Sequence, residues 1–244
     1  MRSDTSIYQP LDTLKGVADG IWVVDGPLIR FGLPFLKMPF PTRMTIIRIG
    51  GDLFIHSPTE LVPGLQREIE GLGQVRWLVA PNRIHYWWVS QWHASCPGAA
   101  VYLAPRVREQ AGSRIDFPSS PLNRSAGYPW DDQIATLPVA GRYMTEVVFF
   151  HRPTRTLVLT DLIENFEPAK LTWFQRALVW CGGSLDPHGS MPRDMRLTYP
   201  KSVLRDAVET MIAWNPQRII LAHGRWYRDA GVDELRRAFD WLLK

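Results

Sequence analysis

Cysteine is nearly absent from the chain: only Cys96 and Cys181 occur in 244 residues, far apart and without a Cys-x-x-Cys spacing. Neither a disulfide framework nor a thiolate zinc knuckle is indicated, and a reducing compartment fits. Long apolar runs are missing too; no stretch reaches the roughly 18 residues needed for a transmembrane segment. Met1 to Pro10 is polar and lacks the apolar core of a signal peptide, so the expected location is cytoplasmic. No Gly-x-Ser-x-Gly elbow is present, nor a phosphate loop or dinucleotide fingerprint, which removes the support for a serine nucleophile or a nucleotide site. Net charge is +4 and the isoelectric point about 9.2, but the arginines are scattered and never form a basic run interleaved with aromatics. A solvated, Arg-rich surface is expected rather than a nucleic-acid interface.

What is present is enough to build a core. Apolar residues make up 45% and charged residues 21% of the chain, as in globular proteins, and the length suits one α/β domain over residues 1–244. Eleven Trp and twenty Pro point to an interior filled by large rings and to loops with fixed backbone angles. Ile21 to Asp25, Met44 to Ile49 and Leu53 to Ile55 are short β-rich runs separated by Gly turns and read as successive antiparallel strands. A helix is expected from Thr59 to Gly71, a buried strand from Val75 to Ala80, a short helix from Val89 to Ser95 and a strand from Ala99 to Leu103. Strands follow at Ile134 to Val139, Glu146 to His151 and Thr156 to Thr160. Helices over Leu171 to Trp180 and Ser202 to Trp214, a strand over Arg218 to Leu221 and a closing amphipathic helix over Val232 to Leu243 complete the chain. Two rounds of strands then helices predict a four-layer αββα sandwich.

Gly32 to Pro41 carries three prolines among bulky apolar residues, too many for a helix and too apolar for an ordinary exposed loop. A cover over a site, or a partner or membrane-contact surface, is the expectation there. Trp77, Trp87, Trp88 and Trp92 read as core, and His93 and His151, beside polar neighbours, as surface residues.

Three local patterns carry a family resemblance. After the strand ending at Ala80 the chain reads Ala80-Pro81-Asn82-Arg83-Ile84-His85; after Thr156 to Thr160 comes Asp161; after Arg218 to Leu221 comes Ala222-His223-Gly224. With the order of elements, this resembles the metallo-β-lactamase superfamily across nearly the whole chain, in a branch described only as a domain of unknown function. The resemblance places His85 at the last histidine of the superfamily's His-x-His-x-Asp-His loop, Asn82 at the second, Ala80 at the first and Ile84 at the aspartate. Asp161 takes the place of the metal-bridging aspartate and His223 that of the final histidine. Arg142 stands where a further ligand histidine is usual, and His56 where a supporting aspartate is usual.

The resemblance thus implies a degenerate site in which His85, Asp161 and His223 hold one zinc or iron ion. His56 and Glu146 are further candidate ligands, and Asn82 and Arg142 candidate substrate contacts. Two imidazoles and a carboxylate leave coordination positions open, as catalytic zinc and non-haem iron both require. The implied activity is metal-dependent hydrolysis of a small ester, lactone or thioester. Two alternatives stay open at this point. One is a non-catalytic, metal-free descendant that binds a small molecule or a protein, because a buried His bonded to an Asp satisfies both without metal; the other is an oxygen-handling iron protein.

Overall fold

The computed structural model describes residues 7–33 and 36–244, and of residues 31–33 and 36 the backbone only. Among the described residues, seven strands form one sheet in chain order: β1 (Lys15–Ala18), β2 (Ile21–Leu33), β3 (Leu36–Ile49), β4 (Asp52–His56), β5 (Gln74–Ala80), β6 (Ala100–Leu103) and β7 (Ser120–Pro121). β1 to β4 pair antiparallel, and β4 to β7 pair parallel through crossovers. The crossovers hold α1 (Pro63–Glu70), α2 (Val89–Ser95) and α3 (Val107–Ala111). The second sheet has the order β11-β10-β9-β8, from β8 (Ile134–Ala140), β9 (Thr145–His151), β10 (Thr156–Leu159) and β11 (Arg218–Leu221). α4 (Trp173–Gly182), α5 (Arg193–Arg196) and α6 (Lys201–Ala213) lie between β10 and β11, and α7 (Gly231–Ala238) and α8 (Asp240–Leu243) close the chain.

Strand alternation explains how the second sheet serves two cores. Val147, Phe149, Val158 and Ile220 join the cluster shared with the first sheet, whereas Val148, Phe150, Leu157, Ile219 and Leu221 pack with α6 and α7. Side chains on alternate sides of each strand meet different layers, so these strands read as continuous apolar runs. The layers are those of the αββα sandwich expected from the sequence. Between the sheets, Phe54 meets Trp130 and Phe149 edge-on at 4.9 and 5.2 Å, a geometry that suits the ring quadrupoles. Trp77 and Trp92 are core, as expected, but Trp88 is only half-buried and Trp87 is exposed.

Element boundaries moved where proline or a local break decides. The first helix begins at Pro63, which fits position N1 but not a helix interior, so Thr59 to Val62 stays outside it. The closing helix is two, α7 and α8, broken at Phe239. The apolar, proline-rich segment from Gly32 is the far end of the long β2–β3 ribbon, where Ile29 pairs with Phe40 and Arg30 with Pro39. Pro34, Phe35 and the side chains at 31–36 lie outside the described residues.

Candidate metal centre

Three chain segments leave the C-terminal ends of parallel strands at one edge of the sandwich, and each delivers one side chain to a common point. His85 follows β5, Asp161 follows β10 and His223 follows β11. The carboxyl ends of parallel strands are where α/β folds gather ligands, because loops there converge without disturbing the ladder. All three residues are buried, and the potential ligand atoms lie within 4.8 Å of one another. His85 Nε2 and His223 Nε2 are 3.2 Å apart. Asp161 offers Oδ2 to His85 Nε2 and Oδ1 to His223 Nε2, each at 3.3 Å.

Each ligand position is fixed from behind. His223 Nδ1 lies 2.8 Å from the Pro41 carbonyl; a carbonyl only accepts, so Nδ1 carries the proton and a neutral ring presents a bare Nε2 to the centre. His85 Nδ1 sits 2.7 Å from Ser57 Oγ, a hydroxyl able to accept from it. Asn82 organises the third segment. Its Oδ1 accepts from the Ile84 and His85 N–H groups at 2.9 and 3.1 Å, which turns the chain after β5 and aims the ring. Its Nδ2 donates to Thr160 Oγ1 at 2.9 Å and to Asp161 Oδ2 at 2.5 Å. The oxygen of Asn82 is therefore spent on backbone, and what faces the site is the amide nitrogen.

The donor set fits a cation. The two Nε2 atoms lie 3.2 Å apart, each 3.3 Å from an oxygen of the Asp161 carboxylate. That spacing is close to the edge, about 3.4 Å, of a tetrahedron around an ion with bonds of about 2.0–2.1 Å. Burial opposes ionisation of Asp161, yet the His85 and His223 imidazoles outweigh it and hold the carboxyl well below the ordinary carboxylate range. Because Asn82 takes Oδ2, Oδ1 is the freer ligand atom. Replacing Asn82 by Ala removes both the turn and the carboxylate's tether, so zinc affinity is expected to fall about 10–100-fold, as for other supporting residues. Competition titration with a chromophoric chelator reads that change, and an unchanged affinity would deny Asn82 this role.

Glu146 stands behind the cluster. Its fully buried carboxylate accepts from the Thr160, Asp161 and Leu162 N–H groups at 2.8, 2.8 and 3.0 Å, so both oxygens are occupied holding the chain after β10. Burial and the nearby Asp161 push this carboxyl up, against the pull of the N–H donors.

His56 likewise lies apart from the three gathered side chains. At the end of β4, 2% exposed, it stacks edge-on to Phe149 at 5.4 Å, and both ring nitrogens lack a hydrogen-bond partner. Burial, helped by His85, lowers its pKa from 6.5 to about 3. Between those values the unfolded chain binds the extra proton, so the stability contributed by the neutral ring is complete above about pH 6.5 and is lost as pH falls toward 3. Unfolding curves of wild type and His56→Leu should therefore diverge in favour of the variant by up to about 1.4 kcal/mol per pH unit in that window. A constant difference across it would contradict the assignment.

Arg142 is exposed, its N–H donating to the Thr198 carbonyl at 2.7 Å. Its neighbour Tyr143, and not Arg142, lines the cavity over the cluster. His151, expected at the surface, is 3% exposed and bonds Thr154 Oγ1 through Nδ1 at 2.8 Å. Its position on β9, pairing with both β8 and β10, buries it despite polar sequence neighbours.

The cavity, about 530 Å³, has His85, Asp161 and His223 in its wall. Ile29, Met38 and Phe40 from the β2–β3 ribbon and Leu178, Val179 and Met195 from α4 and α5 make it largely apolar. Glu164, also in the wall, was not foreseen from the sequence. Burial raises its carboxyl to about 8, with His223 opposing. The one sequence signal was an acid directly after the apolar pair Leu162-Ile163. Ser57 and the Pro41 carbonyl had none, because a hydroxyl and a backbone oxygen acquire their roles only when strands pair.

The αββα layers and an edge cluster of imidazoles and carboxylate define a metallo-β-lactamase-like fold, and solved structures agree. The chain superposes on DIM-1 metallo-β-lactamase with a TM-score of 0.64 at 10% identity, covering 95% of this chain and 96% of that one. It superposes on the mono-zinc form of FIM-1 from Pseudomonas aeruginosa at 0.62 and 13% identity, covering 95% and 94%. A metallo-β-lactamase from Hirschia baltica gives 0.60 at 14% identity, covering 94% and 97%. At sequence level the chain belongs to the family described as Domain of unknown function (DUF4336), whose model matches residues 19–177. That span includes His85 and Asp161 and ends before His223. No protein of curated function matches it.

Proposed function

We propose that the protein is a hydrolase using one divalent metal ion, zinc or iron, held by His85, Asp161 and His223, and acting on an ester, lactone or thioester with an apolar acyl or alkyl part. The observation that carries this reading is the pair of inward-facing imidazole nitrogens, 3.2 Å apart beside a carboxylate, in the wall of a largely apolar cavity. The mono-zinc state of the structurally similar FIM-1 enzyme supports a single ion. When bound, such an ion supplies Lewis acidity toward a carbonyl and a nucleophile from water near neutral pH.

The chain's own groups supply the rest. The Pro41 carbonyl and Ser57 orient the two imidazoles, and Asn82 holds the carboxylate. Ile29, Met38, Phe40 and Leu178 take up the apolar part of the substrate and exclude water around the reacting bond. Glu164, in the same wall and with its carboxyl pushed up by burial, is the acid placed to hand a proton to a leaving oxygen or sulfur. Its replacement by Gln is expected to lower kcat about 100-fold with less effect on KM.

The test is a panel of p-nitrophenyl esters from acetate to octanoate, with lactones and acyl thioesters, assayed with zinc- or iron-loaded protein. Turnover abolished by chelator is expected, with kcat/KM rising about fourfold per methylene until the cavity is filled. Hydrolysis no faster than with chelator-treated protein across the whole panel rejects the reading.

A further inference from the structure

Among the described residues the large exposed apolar side chains are Trp87, Tyr143, Trp173, Phe174, Trp180 and Leu197. Five of these six belong to one neighbourhood: Tyr143 lines the cavity, Trp173, Phe174 and Trp180 are on α4, and Leu197 directly follows α5. Solvent exposure reaches 83% at Trp173, 68% at Trp180 and 83% at Leu197. Single exposed apolar residues need no explanation, but a cluster of rings on one element does.

α4 shows how the cluster is built. Its capping box, Thr172 with Gln175, fixes the N-terminus, and Gly183 in the left-handed region ends the helix. At 100° per residue, Leu178, Val179, Cys181 and Gly182 turn toward the cavity they line, while Trp173, Arg176, Ala177 and Trp180 fall on the opposite side. Those four are all exposed. One face of the helix is thus used by the fold, and the other offers two indoles and a guanidinium to whatever lies outside.

Charge says what lies outside. No Asp or Glu occurs between Glu167 and Asp186, a stretch that contains all of α4, nor between Asp25 and Asp52, which contains the β2–β3 ribbon on the cavity's other wall. Arg176 and Arg193 are exposed on the helical side and Arg30 and Lys37 on the ribbon. Asp194 is the exposed acid among them. Indoles beside guanidinium groups suit the headgroup region of a membrane, where a ring buries its body and keeps its N–H wet, and where each basic residue near an anionic surface adds about 1 kcal/mol. A protein partner of ordinary composition requires no such excess of basic over acidic groups.

We propose that the outer face of α4, with Leu197, docks the protein on an anionic lipid surface, leaving the cavity mouth beside that surface. The inference is independent of metal and of catalysis. It concerns peripheral attachment, since no described helix is long and apolar enough to cross a membrane.

Sedimentation with vesicles of phosphatidylcholine and phosphatidylglycerol, about seven parts to three, tests it against phosphatidylcholine alone. Wild type should pellet at least about fivefold more with the anionic vesicles, with the difference shrinking as salt is raised. Trp173→Ser with Trp180→Ser should abolish the pelleting at unchanged circular dichroism and melting temperature, and Arg176→Glu with Arg193→Glu should remove its salt-sensitive part. Should the double Trp variant misfold, Trp173→Ser alone serves, because that side chain is 83% exposed. Wild type left in the supernatant with anionic vesicles overturns the proposal, and so does a folded Trp variant that still pellets. Light scattering that shows a wild-type dimer made monomeric by the Trp changes, with no vesicle binding, assigns the face to a second copy of the chain and overturns it equally.

Discussion

Replacing Glu146 by Ala is expected to lower the melting temperature by roughly 10 to 15 °C. The carboxylate is fully buried and receives three backbone N–H groups, from Thr160, Asp161 and Leu162, at 2.8 to 3.0 Å. Removing it leaves three donors in the interior without an acceptor, at about 1–3 kcal/mol each, partly offset by water entering the space. A net loss on the order of 4–5 kcal/mol follows, large against the 5–15 kcal/mol of a typical domain. Glu146→Gln keeps one acceptor oxygen and turns an NH₂ group toward the remaining donors, so an intermediate loss is expected. Because these N–H groups hold the segment carrying Asp161, metal affinity should fall with stability. Thermal unfolding by circular dichroism checks the order wild type, Gln, Ala; an alanine variant melting within about 2 °C of wild type would mean that this segment is held by something else.

Replacing His223 by Ala is expected to act most strongly on metal binding. The ring is one of the three gathered side chains, and its Nδ1–H donates to the buried Pro41 carbonyl at 2.8 Å. Zinc affinity is expected to drop at least about 1,000-fold, well beyond the effect at a supporting residue such as Asn82. The metal-free variant should melt below metal-free wild type, because the buried ring packs against Phe40 and Phe166 and bonds the Pro41 carbonyl, and saturating zinc should raise only the wild type, by the equivalent of about 4 kcal/mol at a thousandfold excess over Kd. Equal stabilisation of both proteins by zinc would remove His223 from the ligand set. Chelator-sensitive ester hydrolysis, where present in the wild type, should vanish in the variant.

The layered fold was legible because its strands and helices are long enough to show their periods: β5, α2 and β11 fall within a residue of where apolar spacing puts them. Boundaries slipped at Pro63 and Phe239, where one residue's backbone preference overrode a continuing apolar pattern. His85, Asp161 and His223 were legible only through the resemblance, since residues 85, 161 and 223 share no local pattern and meet only when two sheets pack. The part Asn82 plays in turning the chain and tethering Asp161 was not legible, because which end of an amide faces a site depends on which backbone N–H groups it caps. Arg142 illustrates the converse: its neighbour in the loop between β8 and β9, Tyr143, lines the cavity instead, and an irregular loop has no period from which to read that choice. The cavity's apolar character came from the ribbon and α4 together, two segments more than a hundred residues apart in the sequence.

Two imidazoles and one carboxylate that hold a metal ion should retain it through purification. Elemental analysis of protein purified without chelator and without added metal tests it most directly, with the His85→Ala, His223→Ala double variant beside it. About one equivalent of zinc, iron or manganese in the wild type, and none in the variant, is the predicted result. Less than about a tenth of an equivalent in the wild type, unchanged after dialysis against zinc, would contradict it.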